Sequence, residues 1–220
     1  MVVLSPLGYA PPSDAQQESV RPGINRHYQD PDFRQWVETF ERPGREVYDR
    51  REQILAALEL RPGLDVADLG AGTGLFTRLF APEVAPDGIV YAVDISATFV
   101  DNVLRTAREQ GLANVRGIVN TDTDSGLAPD SVDLIFVSDT YHHFEYPQRM
   151  LTSMHEALRP GGRLAIIDFR KAPGFSSGWV MSHVRADRAT VIREIEAEGF
   201  RFMGEEDFLR VNYFLWFERE

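Results

Sequence analysis

LDVADLGAGTG, residues 64–74, decides the fold. Its first six residues read as a short buried strand, and the glycine-rich remainder runs directly into LFTRLF (75–80), which has helical spacing. Strand, glycine turn and helix in that order make a βα unit, because glycine alone allows the positive φ and close backbone approach of such a turn. The unit then repeats. Pro86-Asp87-Gly88 leads to the strand IVYAVD (89–94), and Ser96 caps a helix carrying Phe99, Val100, Val103, Leu104 and Ala107 that closes at Gly111. VRGIV (115–119) and VDLIFVSD (132–139) read as a third and fourth strand, 147–159 as a helix, and GRLAIIDF (162–169) as a fifth strand after the Pro160-Gly161-Gly162 turn. A last helix carries Val191, Ile192 and Ile195 and stops at Gly199. The first five strands are apolar throughout, as in a parallel sheet covered by helices on both faces. FRFMGEEDF (200–208) and NYFLWFER (212–219) alternate and suggest an antiparallel edge.

Upstream, PDFRQWVETFE (31–41) sets Phe33, Trp36, Val37 and Phe40 at helical spacing, and Arg45 to Leu60 repeats the pattern with Val47, Ile54, Leu55 and Leu58. Two helices are expected there, with Phe33, Trp36 and Phe40 as a buried face. Residues 1–25 hold Pro6, Pro11, Pro12 and Pro22 and show no period, so they read as a flexible arm; residues 1–10 lack the basic start of a leader. The division is an arm over 1–25, a helical cap over 26–61 and the main domain over 62–220.

The chain of 220 residues suits one main core. Acidic residues outnumber basic ones 34 to 23, and a net charge of -11 repels nucleic-acid backbones and anionic membranes. Of the basic residues only Lys171 is a lysine, and there is no cysteine, so phosphate-loop, Schiff-base, thiolate and disulfide chemistries drop out. No run approaches the roughly 18 apolar residues of a membrane span. The expectation is a cytoplasmic monomer or homodimer acting on a small molecule.

Two cofactor classes compete for the glycine turn. A dinucleotide fingerprint, G-x-G-x-x-G, would put its third glycine at 75, which is Leu75; the sequence instead reads D-x-G-x-G-x-G over 68–74, and Asp94 ends the next strand about 20 residues later, where a carboxylate accepts ribose hydroxyls. This pattern resembles the first motif of the class I S-adenosylmethionine-dependent methyltransferases, in particular small-molecule enzymes of the ubiquinone/menaquinone-methyltransferase type. The resemblance covers roughly residues 62–168 and includes LRPGGRL (158–164) before the fifth strand. It implies an α/β, Rossmann-like, doubly wound and mainly parallel seven-stranded sheet with an antiparallel edge strand and N-terminal cap helices. It also implies S-adenosylmethionine as cofactor, S-adenosylhomocysteine as product, and methylation of a small O- or N-acceptor. Asp68, Gly70, Ala71, Gly72 and Gly74 would then hold the cofactor's methionine end, Asp94 its ribose, and Ile95 and Asp122 its adenine, with Ser138 and Tyr28 as further contacts. Other readings stay open: an NAD(P)-dependent oxidoreductase, a non-catalytic S-adenosylmethionine-binding protein, or glycines that serve only strand-to-helix packing.

The segment Ser138-Asp139-Thr140-Tyr141-His142-His143-Phe144 leaves the fourth strand beside the glycine turn, which makes it the acceptor side. His143 or His142 is the expected general base, with Asp139 and Tyr141 as further proton-handling groups. A less favoured reading is a divalent metal on Asp139, His142 and His143, whose i, i+3, i+4 spacing resembles the E-x-x-E-H of some ubiquinone-pathway and small-RNA methyltransferases, with His183 as a fourth ligand. The insert 171–185 reads as a lid over the cleft or as a loop packed on the core.

Overall fold

Asp32 accepts from the backbone N–H groups of Arg34 and Gln35 and so caps α1 (Phe33–Phe40). The computed structural model describes residues 16–220; the tail and the first part of the arm lie outside them. The second helix of the cap is two short ones, α2 (Glu46–Asp49) and α3 (Arg51–Ala57), joined at Arg50. Ile54 of α3 and the adjacent Leu58 enter the core. Helix α1 does not: none of its residues is buried, and Trp36 and Phe40 line a cleft. Of the aromatic stripe expected to face protein, Trp36 and Phe40 instead form the wall of a cavity, while Phe33 packs toward Phe99.

The βα units follow as β1 (Val66–Leu69), α4 (Leu75–Val84), β2 (Val90–Asp94), α5 (Ala97–Glu109), β3 (Val115–Val119) and β4 (Val132–Ser138). Then come α6 (Pro147–Ala157), β5 (Leu158–Phe169), α7 (Gly178–His183), α8 (Arg188–Ala197), β6 (Phe200–Glu206) and β7 (Asn212–Arg219). The seven strands are ordered β3-β2-β1-β4-β5-β7-β6. The first five are parallel, and β7 runs antiparallel to both β5 and the edge strand β6, to which it is paired. The Pro160-Gly161-Gly162 turn is looped out within β5, since Leu158 pairs with Val132 and Arg163 with Leu134. Alternate strand residues bury on opposite faces. Ile135, Val137 and Ile166 meet Met150, Met154, Val191 and Ile195 of α6 and α8, whereas Leu134, Phe136 and Ile167 meet Phe76 and Phe80 of α4 and Ile54 of α3. This double burial explains why the strands read as unbroken apolar runs.

The strand order reverses between β1 and β4, so the loops after their carboxyl ends splay apart and leave a crevice. The cap helices and residues 16–28 close over that crevice. Val20 N–H and Gly23 N–H donate to the backbone oxygen and Oε1 of Glu145 at 2.8 and 2.9 Å, and Arg21 donates to Ser182 O at 3.0 Å. Over the described part, the expected loose arm is therefore tied across the cleft. Among the described residues no helix is long and apolar enough to cross a membrane.

Candidate active site

The cleft measures about 1040 Å³ and has the glycine turn as its floor. Gly70, Gly72 and Gly74 have φ of 79°, 53° and 77°, left-handed values at alternate positions that glycine adopts without strain. They do different work. A Cβ at Gly70 would sit 2.3 Å from the Thr140 side chain, so this glycine lets the loops after β1 and β4 touch. A Cβ at Gly74 would fall 2.7 Å from Val103, so Gly74, which is outside the cleft lining, serves the packing of α4 on α5. That corrects its assignment to the cofactor. At Gly72 a Cβ would meet Phe40 at 3.4 Å and the backbone oxygen of Gly70 at 3.9 Å, and its absence keeps the gap between loop and roof open.

Asp94 ends β2 beneath that gap. Its Oδ2 accepts from Gly72 N–H and its Oδ1 from Ser96 N–H, at 2.8 and 2.9 Å. Burial pushes its carboxyl up to about 6, against the pull of those N–H groups. Asp68 accepts from Thr77 Oγ1 at 2.6 Å, and burial raises it likewise to about 6. Ala71, Ile95 and Asp122 complete this end, with Asn25 Nδ2 donating to Asp122 at 3.4 Å and to His143 O at 3.1 Å. Above, Tyr28, Trp36 and Phe40 form an aromatic roof, with successive ring centroids 4.9 and 4.8 Å apart.

At the other end the short turn Tyr141–His143 follows β4. His142 lies with Nδ1 2.7 Å from Asp168 Oδ1, and its backbone N–H donates to Asp168 Oδ2 at 2.9 Å. A carboxylate only accepts, so Nδ1 donates, and in the neutral imidazole the lone pair is then on Nε2. That Nε2, His143 Nδ1 and Ser138 Oγ are buried without a hydrogen-bond partner. His183, at the end of α7, brings a third imidazole, its centroid 5.2 and 5.3 Å from those of His142 and His143. Burial, then the neighbouring imidazoles, push His143 down to about 2.

Two of the expected proton-handling residues are corrected by geometry, while His143 lines the cleft and burial disfavours its protonated form. Asp139 has both oxygens engaged, Oδ2 by Arg45 at 2.7 Å and Oδ1 by Asn212 Nδ2 at 2.6 Å, on a backbone strained to φ 49°. Tyr141 is fully buried, lies outside the cleft lining, and donates to Glu194 of α8 at 2.7 Å. Asp68, Gly70, Ala71, Gly72, Asp94, Ile95, Asp122, Ser138, Tyr28 and His142 do line the cleft. Sequence reasoning missed Asp168, Arg45 and Asn212. The only signal for Asp168 was a carboxylate closing an otherwise apolar fifth strand.

Residues 67–166 match a family described as a methyltransferase domain. The chain is 34% identical over 120 residues to the ubiquinone/menaquinone biosynthesis C-methyltransferase UbiE of Ectopseudomonas mendocina, covering 52% of this chain and 45% of that one. The matched segment makes the chain similar to the class I S-adenosylmethionine-dependent methyltransferase superfamily. It spans about half the length of the curated relatives it matches. A SAM-dependent methyltransferase from Aquifex aeolicus shares the fold, with a TM-score of 0.75 at 24% identity over 86% of this chain and 99% of that one. So does the [4+2]-cyclase SpnF, with a TM-score of 0.68 at 16% identity over 81% and 84%. The fold therefore leaves the reaction to be argued from the site.

The cleft fits the cofactor of this superfamily. It has the volume, an open strip above Gly72, a buried carboxylate at Asp94 and an unpartnered hydroxyl at Ser138. A pH dependence follows. Above about pH 6 Asp94 is ionised and accepts hydroxyl donors fully; below it, protonation removes an acceptor. Affinity for S-adenosylhomocysteine is expected to be flat from about pH 8 to 6 and to fall up to about tenfold per unit below that. Calorimetry on the wild type and Asp94→Asn checks it, since the variant should keep only the part of the slope that Asp68 contributes.

Proposed function

We propose that the protein transfers a methyl group from S-adenosylmethionine to a small-molecule acceptor whose nucleophilic atom is activated by an ionisable hydroxyl, as in a phenol or an enol. The observation that carries this reading is a single cleft with the glycine turn and Asp94 at one end and His142, His143 and His183 at the other. When bound, S-adenosylmethionine supplies an electrophilic methyl on a sulfonium and leaves as the neutral thioether S-adenosylhomocysteine.

The chain's own residues then have definable work. Asp94 accepts the ribose hydroxyls, while Asp68, Gly70 and Ala71 border the methionine end and Ile95 and Asp122 the adenine end. Tyr28, Trp36 and Phe40 exclude water from above, which strengthens every polar contact beneath them. Methyl transfer is an in-line displacement, so most of the acceleration comes from holding the acceptor in line. Its remaining need is removal of the acceptor's hydroxyl proton. His142 Nε2, oriented by Asp168, is the lone pair at hand.

A phenolate or enolate carries negative charge on both oxygen and an adjacent carbon. The relatives named as C-methyltransferases therefore support widening the acceptor from oxygen or nitrogen to carbon. The test is S-adenosylhomocysteine release, followed by mass spectrometry, with a panel of phenols, naphthols, 1,3-diketones and amines. Turnover with the hydroxyl-bearing members is expected. Tight S-adenosylhomocysteine binding with no turnover on any member would leave a cofactor-binding protein, and preference for a nicotinamide cofactor would reverse the reading.

A further inference from the structure

We propose that His142, His143 and His183 bind one divalent transition-metal ion of the zinc type at the acceptor end of the cleft. Each offers a ring nitrogen, and the three nitrogens lie within 4.8 Å of one another. Two come from the turn after β4 and the third from the end of α7, so the cluster is made by the fold and not by local spacing.

Several independent features point to an ion. His142 is 3% exposed, its Nδ1 is taken by Asp168, and the Nε2 left over has no partner; His143 Nδ1 is in the same position. A buried polar atom left unpaired is costly, and two side by side form an unusual concentration of unpaired ring nitrogens. Asp168 stands to His142 as a carboxylate stands to a metal-bound histidine, fixing the tautomer and raising ligand basicity. Trp179 stacks on His183 at 4.5 Å, and Phe169 stands 5.8 Å from His142, a half-apolar shell that limits hydration.

Nitrogens bound to zinc sit ~2.1 Å from it, which in a tetrahedral site sets them ~3.4 Å apart. Binding thus asks for a closing movement of up to ~1.4 Å from the present spread of 4.8 Å, which α7 can supply because His183 is only partly buried and Trp179 is exposed. The acid of the D-x-x-H-H reading is not a ligand here. Arg45 and Asn212 occupy both oxygens of Asp139, and His183 takes its place in the cluster.

Three neutral ligands leave the ion's double charge uncompensated and at least one coordination position facing the cleft. An acceptor oxygen fits there. This step deepens the proposed methyl transfer and rests on it. The acceptor hydroxyl gives its proton to water, the oxyanion stays on the ion, and the ion takes over the proton-lowering role otherwise left to His142. As the new bond to methyl forms, the pair of the S–CH3 bond stays on sulfur.

The test uses the full chain stripped with a chelator and titrated with Co2+ and Zn2+, with and without S-adenosylhomocysteine. One equivalent per chain is expected, with the intense visible bands of tetrahedral Co2+. His183→Ala, on a partly exposed helix that can lose the ring without touching the core, should weaken binding on the order of 100-fold, and Asp168→Asn 10- to 100-fold. Asp139→Asn should leave the metal affinity unchanged. Binding below one equivalent in the wild type, wild-type affinity in His183→Ala, or loss of the ion in Asp139→Asn would overturn the site. Calorimetry with S-adenosylhomocysteine on the same samples separates the two readings: cofactor binding without metal overturns this inference alone, and metal binding without cofactor overturns the methyl-transfer reading alone.

Discussion

Asp94→Ala is expected to lower affinity for S-adenosylhomocysteine about 100- to 1000-fold while the fold persists. A carboxylate accepting two ribose hydroxyls makes two charge-assisted hydrogen bonds, each about 1.5–3 kcal/mol, and a loss of about 3–4 kcal/mol corresponds to that range. The loop adds to the effect. Gly72 N–H loses the acceptor that holds it against β2, so the turn from Gly70 to Gly74, with its three positive-φ glycines, must be reordered on binding. The fold persists because the change removes a buried carboxyl already pushed up to about 6, so the loss of two backbone hydrogen bonds is offset by relief of a poorly solvated charge. Calorimetry gives the affinity and a thermal melt the stability. An affinity within about threefold of wild type, with the melt unchanged, would remove Asp94 from the binding site.

The parts of this site that were legible in the sequence are those written within one βα unit. The glycine turn and Asp94 sit about two dozen residues apart on adjacent parallel strands, and the strand pairing brings them together automatically. The five parallel strands were legible as apolar runs, and the last two as alternating ones at an antiparallel edge, the seven-stranded count resting also on the resemblance. What stayed hidden was contact between distant segments. Asn212 reaches Asp139 from β7 and Arg45 reaches it from the cap, and neither pairing leaves a local pattern. Together they convert Asp139 from a candidate ligand or base into a tie between cap, turn and sheet. Glu46 makes the same tie from the other side, accepting from the backbone N–H groups of Arg210, Val211 and Asn212. The aromatic stripe of α1 was misread because helical periodicity reports which face avoids water, and a cofactor cleft satisfies that condition as well as a core does.

Asp168→Asn should leave S-adenosylhomocysteine affinity about unchanged and lower kcat about 100- to 10,000-fold, because it acts only at the acceptor end. Asp168 is 1% exposed, and its two oxygens receive three donors: Oδ1 takes His142 Nδ1 and Phe169 N–H, and Oδ2 takes His142 N–H. Asparagine has the same shape but one acceptor oxygen. If its amide nitrogen replaces Oδ2, it faces the backbone N–H of His142, donor against donor, and the turn carrying both histidines must shift. If it replaces Oδ1, it donates to Nδ1, and the imidazole is forced to carry its proton on Nε2. The lone pair facing the cleft then vanishes, and with it either proton acceptance or metal ligation, whichever His142 performs. Stability should fall by about 1–3 kcal/mol, the cost of one unpaired buried group. Nitrogen NMR of the His142 ring reports the tautomer directly, and steady-state turnover alongside calorimetry separates kcat from cofactor affinity. A kcat within about threefold of wild type would mean that His142 merely fills space beneath α7, and the chemistry of the cleft would have to be carried by acceptor alignment alone.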